Sequence, residues 1–245
     1  MGKTILYDKY RKFANQVNRN NLSLLSGRYK FLNQKYKYIY KDILQKLSIN
    51  RSDDIFDIGT GDGRIISHLS KKCKSATTID SREIINKIPN KVKKITYLKG
   101  NIHEKGKKIK KRFNKILVYS VVQYFHNLEE VCRFINLCLK LLKDSGMILI
   151  GDIPNKDMDL RYQNTKNYQK QSRIFARKRM YNISELEKNF FFTKDKVKTI
   201  NFSDKKLLFL LKKFNTLNCE AYILPQNKEL PYSVKRVDLL IRKRS

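Results

Sequence analysis

Residues 57–64 read Asp57-Ile58-Gly59-Thr60-Gly61-Asp62-Gly63-Arg64, three alternate glycines straight after an apolar run that begins at Asp54. The run reads as a buried strand, and Gly63 to Lys72 as the helix that follows it. Glycine permits positive φ and lets backbone close on a ligand. The start of the helix leaves N–H groups free to meet an anionic group. A dinucleotide loop has the spacing G-x-G-x-x-G, whose third glycine lets the helix pack beside a pyrophosphate. Here the third glycine falls one place early and position 64 is Arg. Asp57, two residues before the first glycine, is placed to meet a cationic amino group. A ligand with an amino-acid end therefore suits this loop better than a pyrophosphate; a plain tight turn is the alternative.

Working outward, Ser75 to Asp80 reads as a second strand, ending in an acid 21 residues after Gly59. A carboxylate there can accept both hydrogen bonds of a ribose diol, or it can cap the helix from Arg82. A third strand, Ile95 to Gly100, delivers Asn101, which can bond an adenine amino group or serve as a turn residue, and Ile102, which can pack on the ring. Lys115 to Ser120 is a fourth strand, apolar almost throughout. Asn127 to Lys143 reads as a helix, with Asn127 and Glu130 as a capping box and Ser145-Gly146 as its end. Met147 to Ile153 is a fifth strand. Strands alternating with helices predict βαβ units and a parallel sheet.

The flanks differ from this middle. Residues 7–47 read as helical, with Tyr7, Tyr10 and Phe13, then Tyr36, Tyr40 and Ile43, at helical spacing; Asn18 to Gly27 is a polar break. The tyrosines read as the buried face of capping helices, or as a lid over a ligand. Residues 155–200 are polar, basic and aromatic. Ser203 can cap a helix to Phe214, with Phe202 and Leu207 placed as a hydrophobic staple. Ala221 to Leu224 and Val237 to Ile241 read as two final strands. The expected organisation is a helical cap over 1–50 and a ligand-binding domain over 51–245, with 155–200 as an insertion on the substrate side.

The motifs DIGTGDG (57–63), TTID (77–80), KGNIHE (99–104), KILVYSVVQYF (115–125) and LLKDSGMILIGDIP (141–154) together resemble class I S-adenosylmethionine-dependent methyltransferases. Asn101 is a departure, since many members carry Asp there. The resemblance implies an α/β, Rossmann-like fold, a mostly parallel seven-stranded sheet whose last strand is antiparallel. It implies S-adenosyl-L-methionine as cofactor. Asp57, Gly59, Thr60, Gly61 and Gly63 would hold its methionine moiety, Asp80 with Ser81 the ribose, and Asn101 and Ile102 the adenine. Ser120 would face the reacting centre. Gly151 to Lys156, with Leu230 to Ser233 and Arg236 to Ile241, further resembles methyltransferases found in bacterial surface-polysaccharide clusters.

Composition bounds the rest. The chain has 245 residues, with 54 Lys+Arg against 22 Asp+Glu, a formal charge of +32. That excludes an acidic or neutral protein and permits a polyanionic partner. Most of the cations are lysines, as coding bias toward AT-rich codons also produces. Four cysteines without CxxC spacing read as reduced thiols in a reducing, cytoplasmic compartment. No apolar run is long enough to span a bilayer, and no metal-ligand spacing is apparent.

Ligands of open α/β sheets sit at the carboxyl ends of strands. His126 and Asp152 are accordingly the candidate catalytic residues: His126 as general base or as a cap contact, Asp152 as base, acceptor anchor or turn residue. The first reading of the function is methylation of a small-molecule or glycan acceptor, expected at oxygen. The second is an RNA methyltransferase using the basic stretches 105–112 and 173–179, although the Asn/Asp-Pro-Pro-Tyr/Phe signature of amino-group methylation is replaced by Tyr119-Ser120-Val121-Val122. The third is a catalytically inactive adaptor that kept the fold.

Overall fold

The structure, a computed structural model, describes residues 5–192, 199–216 and 218–244, with side chains from Tyr10 onward. Tyr7's side chain, the first four residues and 193–198 lie outside what is described. Seven strands form one sheet: β1 (Asp54–Ile58), β2 (Ser75–Asp80), β3 (Ile95–Lys99), β4 (Phe113–Tyr119), β5 (Leu142–Pro154), β6 (Cys219–Pro225) and β7 (Arg236–Lys243). Their order is β3-β2-β1-β4-β5-β7-β6. Strand β7 runs antiparallel to both its neighbours, and the pairings among β1 to β5 are parallel. The expected mixed sheet is thus observed.

The described residues also form ten α-helices: α1 (Ile5–Gln16), α2 (Tyr36–Leu47), α3 (Arg64–Leu69), α4 (Arg82–Lys87), α5 (Ile102–Lys105), α6 (Leu128–Leu141), α7 (Lys156–Tyr162), α8 (Lys166–Tyr181), α9 (Glu185–Phe192) and α10 (Asp204–Phe214). The central strands are buried on both faces, which is why β1 and β4 read as near-continuous apolar runs. Successive side chains still divide by face. Phe56, Ile116 and Val118 pack with Phe134 and Ile135 of α6 and Leu210 of α10. Ile55, Leu117 and Leu149 pack with Ile39, Ile43 and Leu47 of α2 and Ile66 of α3. Each fully buried side chain of this size stabilises the fold by about 1.5–3 kcal/mol.

Helix α6 begins as its sequence dictates. The Asn127 carboxamide accepts from the Glu130 N–H at 2.9 Å, and the Glu130 carboxylate accepts from the His126 N–H at 3.0 Å. Its end differs from the expectation. The helix stops at Leu141, and Leu142 is already extended and paired with Phe113. Leu142 is fully buried, so strand pairing overrides the Ser145-Gly146 stop. Those two residues instead lie in an irregular stretch of β5, with Ser145 at φ 58°.

The first fifty residues do two things. Helix α2 is a packing helix of the sheet. Between α1 and α2, the expected polar break folds into two 3₁₀ turns, Arg19–Ser26 and Lys30–Lys35. Asn18 caps the first and Gly27, at φ 61°, closes it. This segment lies on the glycine loop, where the Ser26 hydroxyl accepts from the Asp62 N–H at 3.0 Å. Residues 155–192 form α7, α8 and α9, and α8 has no buried residue. Ser203 caps α10 as expected, and both staple residues are buried. Among the described residues, no helix is long and apolar enough to cross a membrane.

Candidate active site

Strand β1 ends in the glycine loop, and the loop's positive φ angles are those the sequence demands. Gly59 has φ 84° and Gly61 φ 57°. A Cβ on Gly59 would lie 2.6 Å from Val121, and one on Gly61 would lie 2.4 Å from the Ser26 hydroxyl and 2.9 Å from the Leu25 carbonyl. The loop curls over the end of β2. Asp80 there accepts from the Gly61 N–H at 3.0 Å through one carboxylate oxygen and from the Ser81 N–H at 2.7 Å through the other. Each oxygen keeps a lone pair for a further donor.

These residues wall a cavity of about 290 Å³. Asp57, Gly59, Thr60, Gly61, Asp80, Asn101, Ile102 and Ser120 all line it. Gly63 and Ser81 are not among its lining residues. Gly63 turns the chain into α3 against Ile88, and Ser81 caps α4, its hydroxyl accepting from the Ile84 N–H at 3.3 Å. Both shape the wall from behind.

Asn101 differs in a finer way. Its side-chain oxygen accepts from the His103 N–H at 2.9 Å and starts α5, which leaves the NH₂ as its unengaged group. His103, which had no visible role in the sequence, lines the cavity with its ring against Phe125 and Phe134. Burial pushes its pKa down. Burial also pushes the Asp57 carboxyl up to about 7, against the pull of the Thr60 and Thr78 hydroxyls and with Asp80 adding to the rise. Asp80 is pushed up to about 6 by burial, against its two N–H donors. Among the described residues, no cation pairs with either carboxylate. Two desolvated acids without a counter-charge are what a ligand bearing an ammonium and a hydroxyl pair would satisfy.

A second cavity, of about 330 Å³, adjoins the first. The two share Ser26, Arg28, Tyr119, Ser120 and Tyr124 as walls. Ser120 (φ 60°) and Asp152 (φ 63°) stand at the carboxyl ends of the adjacent strands β4 and β5, both in left-handed backbone that non-glycine residues adopt at a cost. At Asp152 the cause is visible. Ile150 pairs with Leu239 and Ile153 with Val237, so Gly151 and Asp152 bulge opposite Asp238 alone. The Asp238 carboxylate holds the bulge by accepting from the Asp152 N–H at 2.8 Å, and is itself tied to Lys46 at 2.6 Å.

The bulge aims Asp152 at a polar junction. The Ser120 hydroxyl donates to Asp152 at 2.5 Å and accepts from Arg28 at 2.7 Å. Arg236 meets the same carboxylate at 3.1 Å, and Arg28 stands at 3.8 Å. Burial would lower the Arg28 pKa, but Tyr36, Asp152 and Tyr119 around it raise it on balance, so it stays charged. Tyr36 also donates to Asp62 at 2.8 Å, clamping α2 to the glycine loop. In the wall of the first cavity the Tyr10 and Tyr124 hydroxyls lie 2.6 Å apart. Of the other early tyrosines, Tyr36 is buried and half-buried Tyr40 stacks on His68 at 4.1 Å.

His126 is not among the lining residues of either cavity, and its backbone N–H belongs to the α6 cap. Arg28 is the principal residue that sequence reasoning missed. It directly follows the polar break, and the Gly27-Arg28 pair carries no spacing signal. Among the described residues there is no group of His, Cys, Asp and Glu that could hold a metal, and all four cysteines are free and buried.

Comparison with known proteins agrees with this architecture. A family model described as a methyltransferase domain matches residues 32–196. No curated protein matches the sequence. Among solved structures, the N-methyltransferase NodS from Bradyrhizobium japonicum, in complex with S-adenosylhomocysteine, aligns with TM-score 0.58 and 14% identity over 97% of this chain and 99% of that one. The plantazolicin methyltransferase BamL, also with S-adenosylhomocysteine, aligns with TM-score 0.60 and 15% identity over 99% of both chains. Phosphoethanolamine N-methyltransferase 1 of Haemonchus contortus aligns with TM-score 0.65 and 15% identity over the whole of this chain and 50% of its own. At these identities the likeness is one of fold, and the family match carries the assignment: the chain belongs to the methyltransferase domain family, as a class I S-adenosylmethionine-dependent methyltransferase.

Proposed function

We propose that the first cavity takes the methyl donor and the second a small-molecule acceptor, with transfer across the Arg28–Ser120 junction they share. The observation that carries this reading is the common wall of the two cavities. S-adenosylmethionine bound there would supply an electrophilic methyl group for an acceptor's lone pair, the sulfur keeping the electrons of the C–S bond. Everything else falls to the chain. The Asp57 carboxylate meets the donor's ammonium at the Gly59–Gly61 turn. Asp80 accepts from the ribose hydroxyls through the lone pairs that Gly61 and Ser81 leave. Ile102 packs on the adenine. The Asn101 NH₂ donates to a ring nitrogen of adenine, in place of the amino-group contact expected from sequence. Tyr10 and Tyr124 close the mouth and exclude water, which favours an in-line displacement between aligned partners.

Among the described residues, the carboxylate at the junction is already engaged. Asp152 is engaged by Ser120 and two arginines, which makes it an anchor. The acceptor atom is then one that attacks without first losing a proton to the protein, an already ionised oxygen or a neutral amine nitrogen. Of these we retain oxygen as the first reading, on the sequence signature. The RNA reading gains nothing from the geometry. The stretch 173–179 gives Phe175 and Arg179 to the second cavity, whereas 105–112 leads to Lys111, paired with Asp54 at the amino end of β1.

Isothermal titration with S-adenosylhomocysteine tests the donor half. One site per chain is expected, weakened about a hundredfold or more in Asp80→Ala, since a charge-assisted pair of hydrogen bonds is lost. Equal affinity in the variant would remove the reading.

A further inference from the structure

The second cavity has a charge pattern that the first lacks. Arg28, Lys35, Arg179 and Arg236 line it, and Asp152 is the sole acid among its lining residues. Two of these cations share that one carboxylate, so the junction already carries an excess positive charge before Lys35 and Arg179 are counted. Lys35 has Glu229 at 3.8 Å, a half-exposed pair of little strength. The arginines are ordered by more than Asp152. The Arg236 guanidinium lies over the Tyr232 ring at 4.9 Å and donates to the Asp152 carbonyl at 2.8 Å. Arg28 lies against Tyr36 and Tyr119 at 5.6 and 5.5 Å. Guanidinium groups stacked and hydrogen-bonded in this way are fixed forks for a planar or tetrahedral oxyanion.

Two polar atoms of the lining are buried without a partner: Nε of Arg236 and the side-chain oxygen of Gln123. Burying a donor or acceptor without a partner is unfavourable. Here one is a charged donor and the other an acceptor, in one cavity. A ligand with an anionic group and an O–H or N–H answers both. Part of the remaining wall is aromatic, with Phe175 and Phe191 against Tyr29 and Tyr232 against Phe175, and it offers flat apolar surface to the body of that ligand.

We infer that the methyl acceptor is a small anionic molecule, bearing a phosphate or carboxylate that Arg28 and Arg236 hold in the second cavity with Arg179 at its rim. The inference rests on the reading of that cavity as the acceptor site. The anion sets the orientation, with the reacting atom turned toward Ser120 and the donor. It also explains the cavity's separation of charge: a positively charged donor on the acidic side meets a negatively charged acceptor on the basic side.

The test uses the full chain saturated with S-adenosylhomocysteine, at constant ionic strength in chloride. Inorganic phosphate, sulfate and acetate are titrated in turn by calorimetry. Saturable binding of phosphate or sulfate is expected, weakened about tenfold or more in Arg236→Gln, with nucleoside affinity changed less than about twofold. Acetate binding of the same kind would identify a carboxylate as the anchored group; its absence beside phosphate binding would identify a phosphate. Arg179→Gln, at an exposed position, serves should Arg236→Gln fail to fold, and is expected to weaken the anion about threefold. The control Arg173→Gln, also exposed but outside the lining, should leave both ligands unaffected. The inference falls if no anion saturates, or if Arg173→Gln weakens it as much as the lining variants do. Failure of S-adenosylhomocysteine itself to bind would overturn the donor assignment instead, so the two failures are distinct.

Discussion

The two cavities share a wall and little else. The donor cavity takes its motif residues from one continuous stretch, the glycine loop, Asp80 and Asn101 all falling within 57–102, and is completed by Tyr10, residues 25–28 and residues between 119 and 134. Two of its acids, Asp57 and Asp80, are raised by burial. The acceptor cavity is assembled from parts far apart in the chain, around 26–39, 119–124, 152, 175–191 and 226–236, and its charged groups are mostly cations. The motif residues of one come from a local stretch; the other exists only because tertiary packing brings five parts of the chain together. A fixed donor site beside a variable acceptor site is a physical account of how one fold serves different acceptors.

The contrast can be broken most sharply at Gly59. Gly59→Val forces a side chain into left-handed backbone and against Val121. We expect stability to fall by about 2–4 kcal/mol, read as a lowered thermal midpoint, and nucleoside binding to be lost. Retention of wild-type affinity would contradict the loop's role.

Acidity sharpens the contrast next. Asp57 and Asp80 titrate above the ordinary carboxyl range, at about 7 and 6. Their protonation removes the charges that meet an ammonium and ribose donors. Affinity for S-adenosylhomocysteine should therefore fall about tenfold between pH 7.5 and 5.5. The arginines of the second cavity do not titrate in this window, so sulfate affinity should stay flat. Ligand-free stability runs the other way. Acids whose folded pKa is raised contribute stability that is full below their unfolded pKa and is lost as pH rises through the folded value. The free protein should gain stability from these two groups as pH falls from about 7 toward 4, measured as a thermal midpoint against Asp80→Asn.

The smallest effect belongs to Phe175, the one α8 side chain seated in the aromatic wall. Phe175→Ala should weaken anion binding by about twofold to fivefold while leaving nucleoside affinity unchanged. An equal loss at both sites would mean that the cavities are not separable.

The sequence speaks clearly where function is local and faintly where it is not. The loop spacing and Asp80 lie within one strand–helix–strand unit, so their geometry follows from counting residues. Arg28 is silent because its partners, Ser120 and Asp152, are 92 and 124 positions away in the chain. His126 reads as a base because it follows a strand end, yet the same position precedes an Asn cap, and the helix takes it. Asp152 is found by the strand-end rule, but the bulge that aims it depends on Asp238 across the antiparallel pair. The Ser145-Gly146 stop fails because a buried Leu142 gains more from strand pairing than from helix.

Crystals of the protein grown with S-adenosylhomocysteine test the account most directly. Its adenosine should lie between Asp80 and the Asn101–Ile102 turn, its ammonium at Asp57 and Gly59, and its sulfur toward Ser120 and Arg28. A nucleoside bound elsewhere, or a mouth filled by Tyr10 and Tyr124 with the ligand excluded, would contradict it.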